Sequence, residues 1–100
     1  MTDLLDAAYY LRKDAYSDET AAKAKEELAK RFPSVDRTVI EEAYTRAGSL
    51  IEVSCEWADQ YRGPKNDFIG APTRDPEGEC PGFSAMVYRD ARAWAFYLTK

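Results

Sequence analysis

FPSVDRTVIEEAYTRAGSLIEVSCEWADQYR, residues 32–62, decides the fold. Pro33 cannot continue a helix from the residues before it, so the preceding helix stops near Arg31. Asp36 can cap a new N-terminus. From there Val39, Ile40, Ala43, Tyr44 and Ala47 recur at helical spacing and make one apolar face. Gly48 stands where a left-handed C-terminal cap belongs. Ser49 and Glu52 then form a capping box. This pattern predicts a break at 48–49 and a further helix from Ser49 to about Arg62, ended by Gly63-Pro64.

Upstream, Ser17 reads as an N-cap followed by Asp18 and Glu19, where the helix dipole favours anions. The Ala/Lys/Glu-rich stretch behind it consists of strong helix formers and predicts a helix to about Arg31. A first helix is expected over about residues 3–16, capped by Thr2 or Asp3. Leu4, Ala8, Leu11 and Ala15 form its stripe, widened by Leu5 and Tyr9. Downstream, residues 63–82 hold four of the five glycines and four of the five prolines and show no periodicity. They read as a long ordered loop, with Phe68 and Ile69 pinning its middle to the core. Ser84 caps a last helix to about Thr99, with Val87, Ala91, Trp94 and Leu98 as its main stripe. The expectation is one all-α domain over residues 1–100, with about five helices.

Hydrophobic residues make up 45% of the chain and aromatics 13%, enough for a packed core and against global disorder. Eighteen acids against fourteen bases give a net charge of −4. Each half of the chain carries −2 (ten acids and eight bases, then eight and six), so there is no basic stripe to attract phosphate or anionic lipid. No apolar run is long enough to span a bilayer. The N-terminus, Met1-Thr2-Asp3-Leu4-Leu5-Asp6, lacks the charged-then-apolar layout of a secretory signal, so the expected location is the cytoplasm.

The chain has no histidine, which excludes a Ser-His-Asp or Cys-His catalytic unit and any His-containing zinc site. Cys55 and Cys80 can pair by count, while a cytosolic setting favours two reduced thiols. Asp75, Glu77 and Glu79 cluster in a loop that reads as solvated, where paired carboxylates do not separate their pKa values. There is no phosphate-cradling glycine pattern and no metal-ligand set. The chain is therefore expected to be non-enzymatic, with no cofactor and no metal.

Phe32-Pro33-Ser34-Val35-Asp36, then Val39-Ile40-Glu41-Glu42, then Gly48-Ser49-Leu50-Ile51-Glu52 resemble a CUE domain, a branch of the UBA-like three-helix fold. The resemblance covers about residues 20–61. It implies a helical trio flanked by an N-terminal and a C-terminal helix, and an intracellular adaptor that binds ubiquitin or another folded domain. CUE domains typically contact ubiquitin through Met-Phe-Pro and a dileucine. The corresponding positions here are Arg31-Phe32-Pro33 and Ala58-Asp59, which removes apolar contact area and adds a charge to desolvate.

The third and fourth predicted helices also have helix-turn-helix spacing. The helix that would enter the major groove, however, carries Glu52, Glu56 and Asp59 within about 60° of one another. Carboxylates facing phosphate repel, so direct nucleic-acid binding is not expected. The same ridge, with Glu41 and Glu42 on the preceding helix, suits an arginine- or lysine-rich protein surface. On the last helix Phe96 and Tyr97 lie off the main stripe, with Met86, as for a central helix packed all round or one completed by a partner. Together these features predict a stoichiometric protein-binding module with a basic partner. Length, acidity and missing catalytic groups are similar in profile to small phage-encoded inhibitors, anti-CRISPR proteins among them, which implies cover over a nucleic-acid-binding surface of a host complex.

Overall fold

The computed structural model describes residues 2–62 and 74–98, with side chains of the first stretch described to residue 60. These residues form five helices and no strand: α1 Thr2–Lys13, α2 Asp18–Arg31, α3 Arg37–Arg62, α4 Pro76–Glu79 and α5 Ala85–Leu98. The all-α expectation holds, but the helices divide the chain differently. Phe68 and Ile69, expected to pin the loop, lie outside the described residues.

The main correction falls at Gly48-Ser49. No break occurs there; α3 runs unbroken for 26 residues, about 39 Å at 1.5 Å per residue. The predicted third and fourth helices are one helix, so the helical trio and the helix-turn-helix division do not form over residues 36–62. The reason lies in packing. Ile40, Ala43, Ala47, Leu50, Ser54 and Ala58 are all buried, and their three-and-four spacing passes through Gly48 without a phase shift. A left-handed turn at Gly48 would swing one half of that stripe away from α1. A glycine inside a helix costs about 1 kcal/mol relative to alanine. Exposing Leu50 alone costs about 1.5–3 kcal/mol, so continuity wins. Gly48 instead leaves room for a neighbour: a Cβ there would stand 3.2 Å from Arg12 Nε.

The other helix boundaries follow the local code. Thr20 N–H donates to Ser17 Oγ at 3.2 Å and Ser17 N–H donates to Thr20 Oγ1 at 2.9 Å, a capping box opening α2. α2 stops at Arg31, ahead of Pro33. Thr38 N–H donates to Asp36 Oδ1 at 3.3 Å and opens α3. Ser84 Oγ accepts from Val87 N–H at 3.3 Å and opens α5. α1 ends at Lys13, three residues short of the expected 16.

α3 is the spine, in contact with all four other helices. Leu4, Leu5, Ala8 and Tyr9 of α1, Leu28 of α2, Val53 of α3 and Val87, Tyr88 and Ala91 of α5 close the core around it. α5 is thus not the central helix. Its buried face is Val87, Tyr88, Ala91 and Ala95. Trp94 is half-buried and Leu98 is 49% exposed, so the expected stripe is rotated at its C-terminal end. Residues 74–82, expected to be irregular, contain the single-turn α4 and a tight turn in which Gly82 has φ +103°. Tyr88 Oη donates to Cys80 O at 2.6 Å and accepts from Phe83 N–H at 3.2 Å, which fastens this turn to α5. Ser84 N–H donating to Asp6 Oδ1 at 3.0 Å and Tyr10 Oη donating to Asp90 Oδ2 at 2.6 Å tie α5 to α1.

Candidate functional site

Because α3 is continuous, the two acidic groups expected on separate helices share one rod. Between Thr38 and Asp59 the exposed residues of α3 are Thr38, Glu41, Glu42, Thr45, Ser49, Glu52, Glu56 and Asp59: five carboxylates, three hydroxyls and no base. All five predicted acids therefore reach solvent, and their spacing keeps them on the side opposite the buried stripe.

Two of the five are already engaged. Lys25 Nζ lies 3.0 Å from Glu41 Oε1. Arg74 reaches across from the start of the α4 segment to Glu56, and its Nε and Nη2 sit 3.0 and 2.8 Å from the two oxygens of Glu79. Hydrogen bonds from Arg74 and from the Asp75 amide hold the Glu79 carboxyl below its usual range. Glu42, Glu52 and Asp59 make no ion pair with any described residue. The Arg62 side chain, expected to temper Asp59, lies outside the described residues. Exposed ion pairs contribute about 0.2–1 kcal/mol each, so such a surface governs steering and partner choice more than raw affinity.

The two C-terminal aromatics separate. Phe96 is half-buried and meets Trp57 of α3 edge-to-face, with ring centroids 5.0 Å apart. It belongs to the α3–α5 contact. Arg92 lies over the same Trp57 ring at 5.4 Å and pairs with Glu77 at 3.1 Å. Tyr97 is 62% exposed and stacks on Trp94 at 5.5 Å and 21°, while Lys13 Nζ lies 5.1 Å from the Trp94 ring. Lys13, Asp90, Ala93, Trp94 and Tyr97 line an open groove of about 480 Å³. Sequence reasoning placed Trp94 in the core and overlooked Lys13 and Arg74. The helical spacing of Trp94 signals burial, and no local pattern announces which carboxylates an arginine in a Gly/Pro-rich stretch will meet.

Both cysteines are free thiols. Burial is the main cause pushing Cys55 and Cys80 up, so neither is a thiolate at neutral pH. Among the described residues no three Cys, Asp or Glu side chains gather as metal ligands, and no helix is long and apolar enough to cross a membrane. Fold and surface thus define an all-α domain whose longest helix presents an acidic, hydroxyl-bearing edge. No family model, curated protein or solved structure matches the chain.

Proposed function

We propose that the chain is a non-enzymatic protein-binding module that docks the exposed edge of α3 on an arginine- or lysine-rich protein surface. The observation that carries this reading is the base-free run of exposed residues from Thr38 to Asp59. Its rigidity adds support. Carboxylates on a packed helix keep fixed spacing, so less side-chain and backbone order has to be created on binding. Within this reading the module acts stoichiometrically, as an inhibitor of the anti-CRISPR kind that covers a nucleic-acid-binding surface of a host complex. A net charge of −4 makes it a local contact rather than a polyanion that imitates DNA.

The test is capture of partners from a bacterial lysate with the wild-type chain and with the triple variant Glu52→Lys, Glu56→Lys, Asp59→Lys, followed by titration of the captured protein. Weaker binding by the variant, with a smaller salt dependence, is the expected result. Competition with the partner's nucleic acid then tests inhibition. Equal affinity and equal salt dependence for both baits would overturn the docking edge.

A further inference from the structure

The outer face of α5 carries Met86, Asp90, Ala93 and Tyr97, a spacing of four, three and four. That is the seam of a coiled coil, in which one helix sets its side chains between those of another. Met86 is 51% exposed, Ala93 and Tyr97 are exposed, and Asp90 is half-buried. The seam lies away from the face that α5 buries with Val87, Ala91 and Ala95. Its pattern also reads the same in both directions. Met86 and Tyr97 stand equally far from the midpoint of α5, between Ala91 and Arg92, and so do Asp90 and Ala93. A two-fold contact between identical surfaces requires such self-complementarity. The charges beside the seam fit the same symmetry. Lys13 and Asp90 line one groove with Ala93, Trp94 and Tyr97, yet Lys13 makes no ion pair with any described residue. Its Nζ lies 5.1 Å from the Trp94 ring. Asp90 Oδ2 accepts from Tyr10 Oη at 2.6 Å, while Arg89 Nε stands 3.9 Å from Oδ1, at the limit of an ion pair.

We propose that α5 pairs with α5 of a second copy of this chain, antiparallel about a two-fold axis at that midpoint. Met86 of each copy then stands level with Tyr97 of the other, a thioether against an aromatic ring. Ala93, small enough to let the helices approach, stands level with Asp90 of the other copy. A two-fold axis between antiparallel helices keeps their like flanks together. Lys13, beside Trp94 on the α1 flank, therefore borders the same side of the seam as Asp90 of the second copy, one residue along from it. Symmetry makes this Lys13–Asp90 ion pair twice, so the contact is complementary in charge as well as in shape. None of the five α3 carboxylates takes part, so the pairing stands apart from the docking edge. Two helices of 14 residues, each about 21 Å long, make a contact at the small end of the interface range, below about 1,200 Å² in total, so the dimer is weak and concentration-dependent.

The experiment is sedimentation equilibrium of the full chain from about 10 μM to about 1 mM, a span that brackets weak association. An isotope-filtered nuclear Overhauser spectrum of mixed labelled and unlabelled chain accompanies it. A reversible monomer–dimer equilibrium is expected, with a cross-copy signal between the Met86 methyl and the Tyr97 ring. Within one helix those residues lie about 16 Å apart, too far for such a signal. Ala93→Glu, at an exposed position, sets a second carboxylate against Asp90 of the other copy and should weaken dimerisation at least about tenfold. These two readouts leave the Tyr10–Asp90 hydrogen bond undisturbed. Lys13→Glu and Asp90→Lys, each shown folded by circular dichroism, should each fail to self-associate, because like charges then meet at both sites. Their equimolar mixture should recover a dimer, because each mixed pair joins opposite charges at both sites. A monomer throughout the range, a dimer without the Met86–Tyr97 signal, undiminished dimerisation in Ala93→Glu, or no recovery in the mixture of folded variants would each overturn the pairing.

Discussion

Gly48→Ala tests the feature on which the architecture turns. If residue 48 is an interior position of one helix, alanine removes backbone freedom from the unfolded chain and gains about 0.5–1 kcal/mol. Set against this is the new Cβ, 3.2 Å from Arg12 Nε and 3.9 Å from its Cζ and Nη2. These atoms end a flexible side chain, which has to give by a few tenths of an ångström. The cost is a fraction of one cation–π contact between half-buried Arg12 and buried Tyr44, worth about 0.5–2 kcal/mol when intact. A net stabilisation of about 0.5 kcal/mol follows, which raises Tm by about 2–4 °C in a domain of this size. A left-handed cap at 48 behaves oppositely, because alanine there loses about 1–2 kcal/mol. The assay is thermal and urea unfolding by far-UV circular dichroism, in the wild-type background and with Arg12→Ala. Removing Arg12 removes the contact, so the alanine gain should approach the full 1 kcal/mol. A Tm that falls by several degrees in both backgrounds would refute the continuous helix.

Gly82→Ala combines a residue at φ +103° with a Cβ 2.8 Å from Leu5 Cδ1. A loss of about 2–4 kcal/mol is expected in urea unfolding. Tyr88→Phe leaves the Cys80 carbonyl and the Phe83 amide without their partner in a buried turn, and should cost about 1–3 kcal/mol by the same measurement. The phenols of Tyr9 and Tyr10 are both pushed up from 10.0 to about 12, the first mainly by burial and the second mainly by its hydrogen bond to Asp90. The unfolded chain releases these protons near pH 10 while the folded chain keeps them, so stability is complete below pH 10 and falls as pH rises toward 12. Ultraviolet titration should show Tyr9 and Tyr10 ionising late, and Tyr10→Phe should flatten the alkaline loss of stability.

Much of the architecture was legible because local chemistry and packing agree. Ser17, Pro33, Asp36 and Ser84 punctuate the chain where their side chains dictate, and Leu4, Ala8, Ile40, Ala43 and Ala47 are buried as their spacing implies. Gly48-Ser49-Leu50-Ile51-Glu52 misleads because a capping box is a local preference of about 1 kcal/mol. Burial of the stripe on both sides of it outweighs that preference. The five carboxylates were legible individually, since acids at three-and-four spacing on a helix share a face. Their union on one rod was not, because it depends on the helix not breaking.

What the sequence determined by itself is the helical class, most helix ends, the acidic character of one face and the exclusion of histidine chemistry. Those are properties of residue type and spacing, read within a few turns of chain. The tertiary structure alone decided that α3 is one continuous spine, that Phe96 packs on Trp57 while Tyr97 remains exposed, and that Arg74 engages Glu56. It alone brought Arg12 of α1 over the ring of Tyr44 of α3, whose hydroxyl is buried without a partner. Each of these joins residues many turns apart, and at that range competing local preferences are settled by how much surface the assembled helices bury.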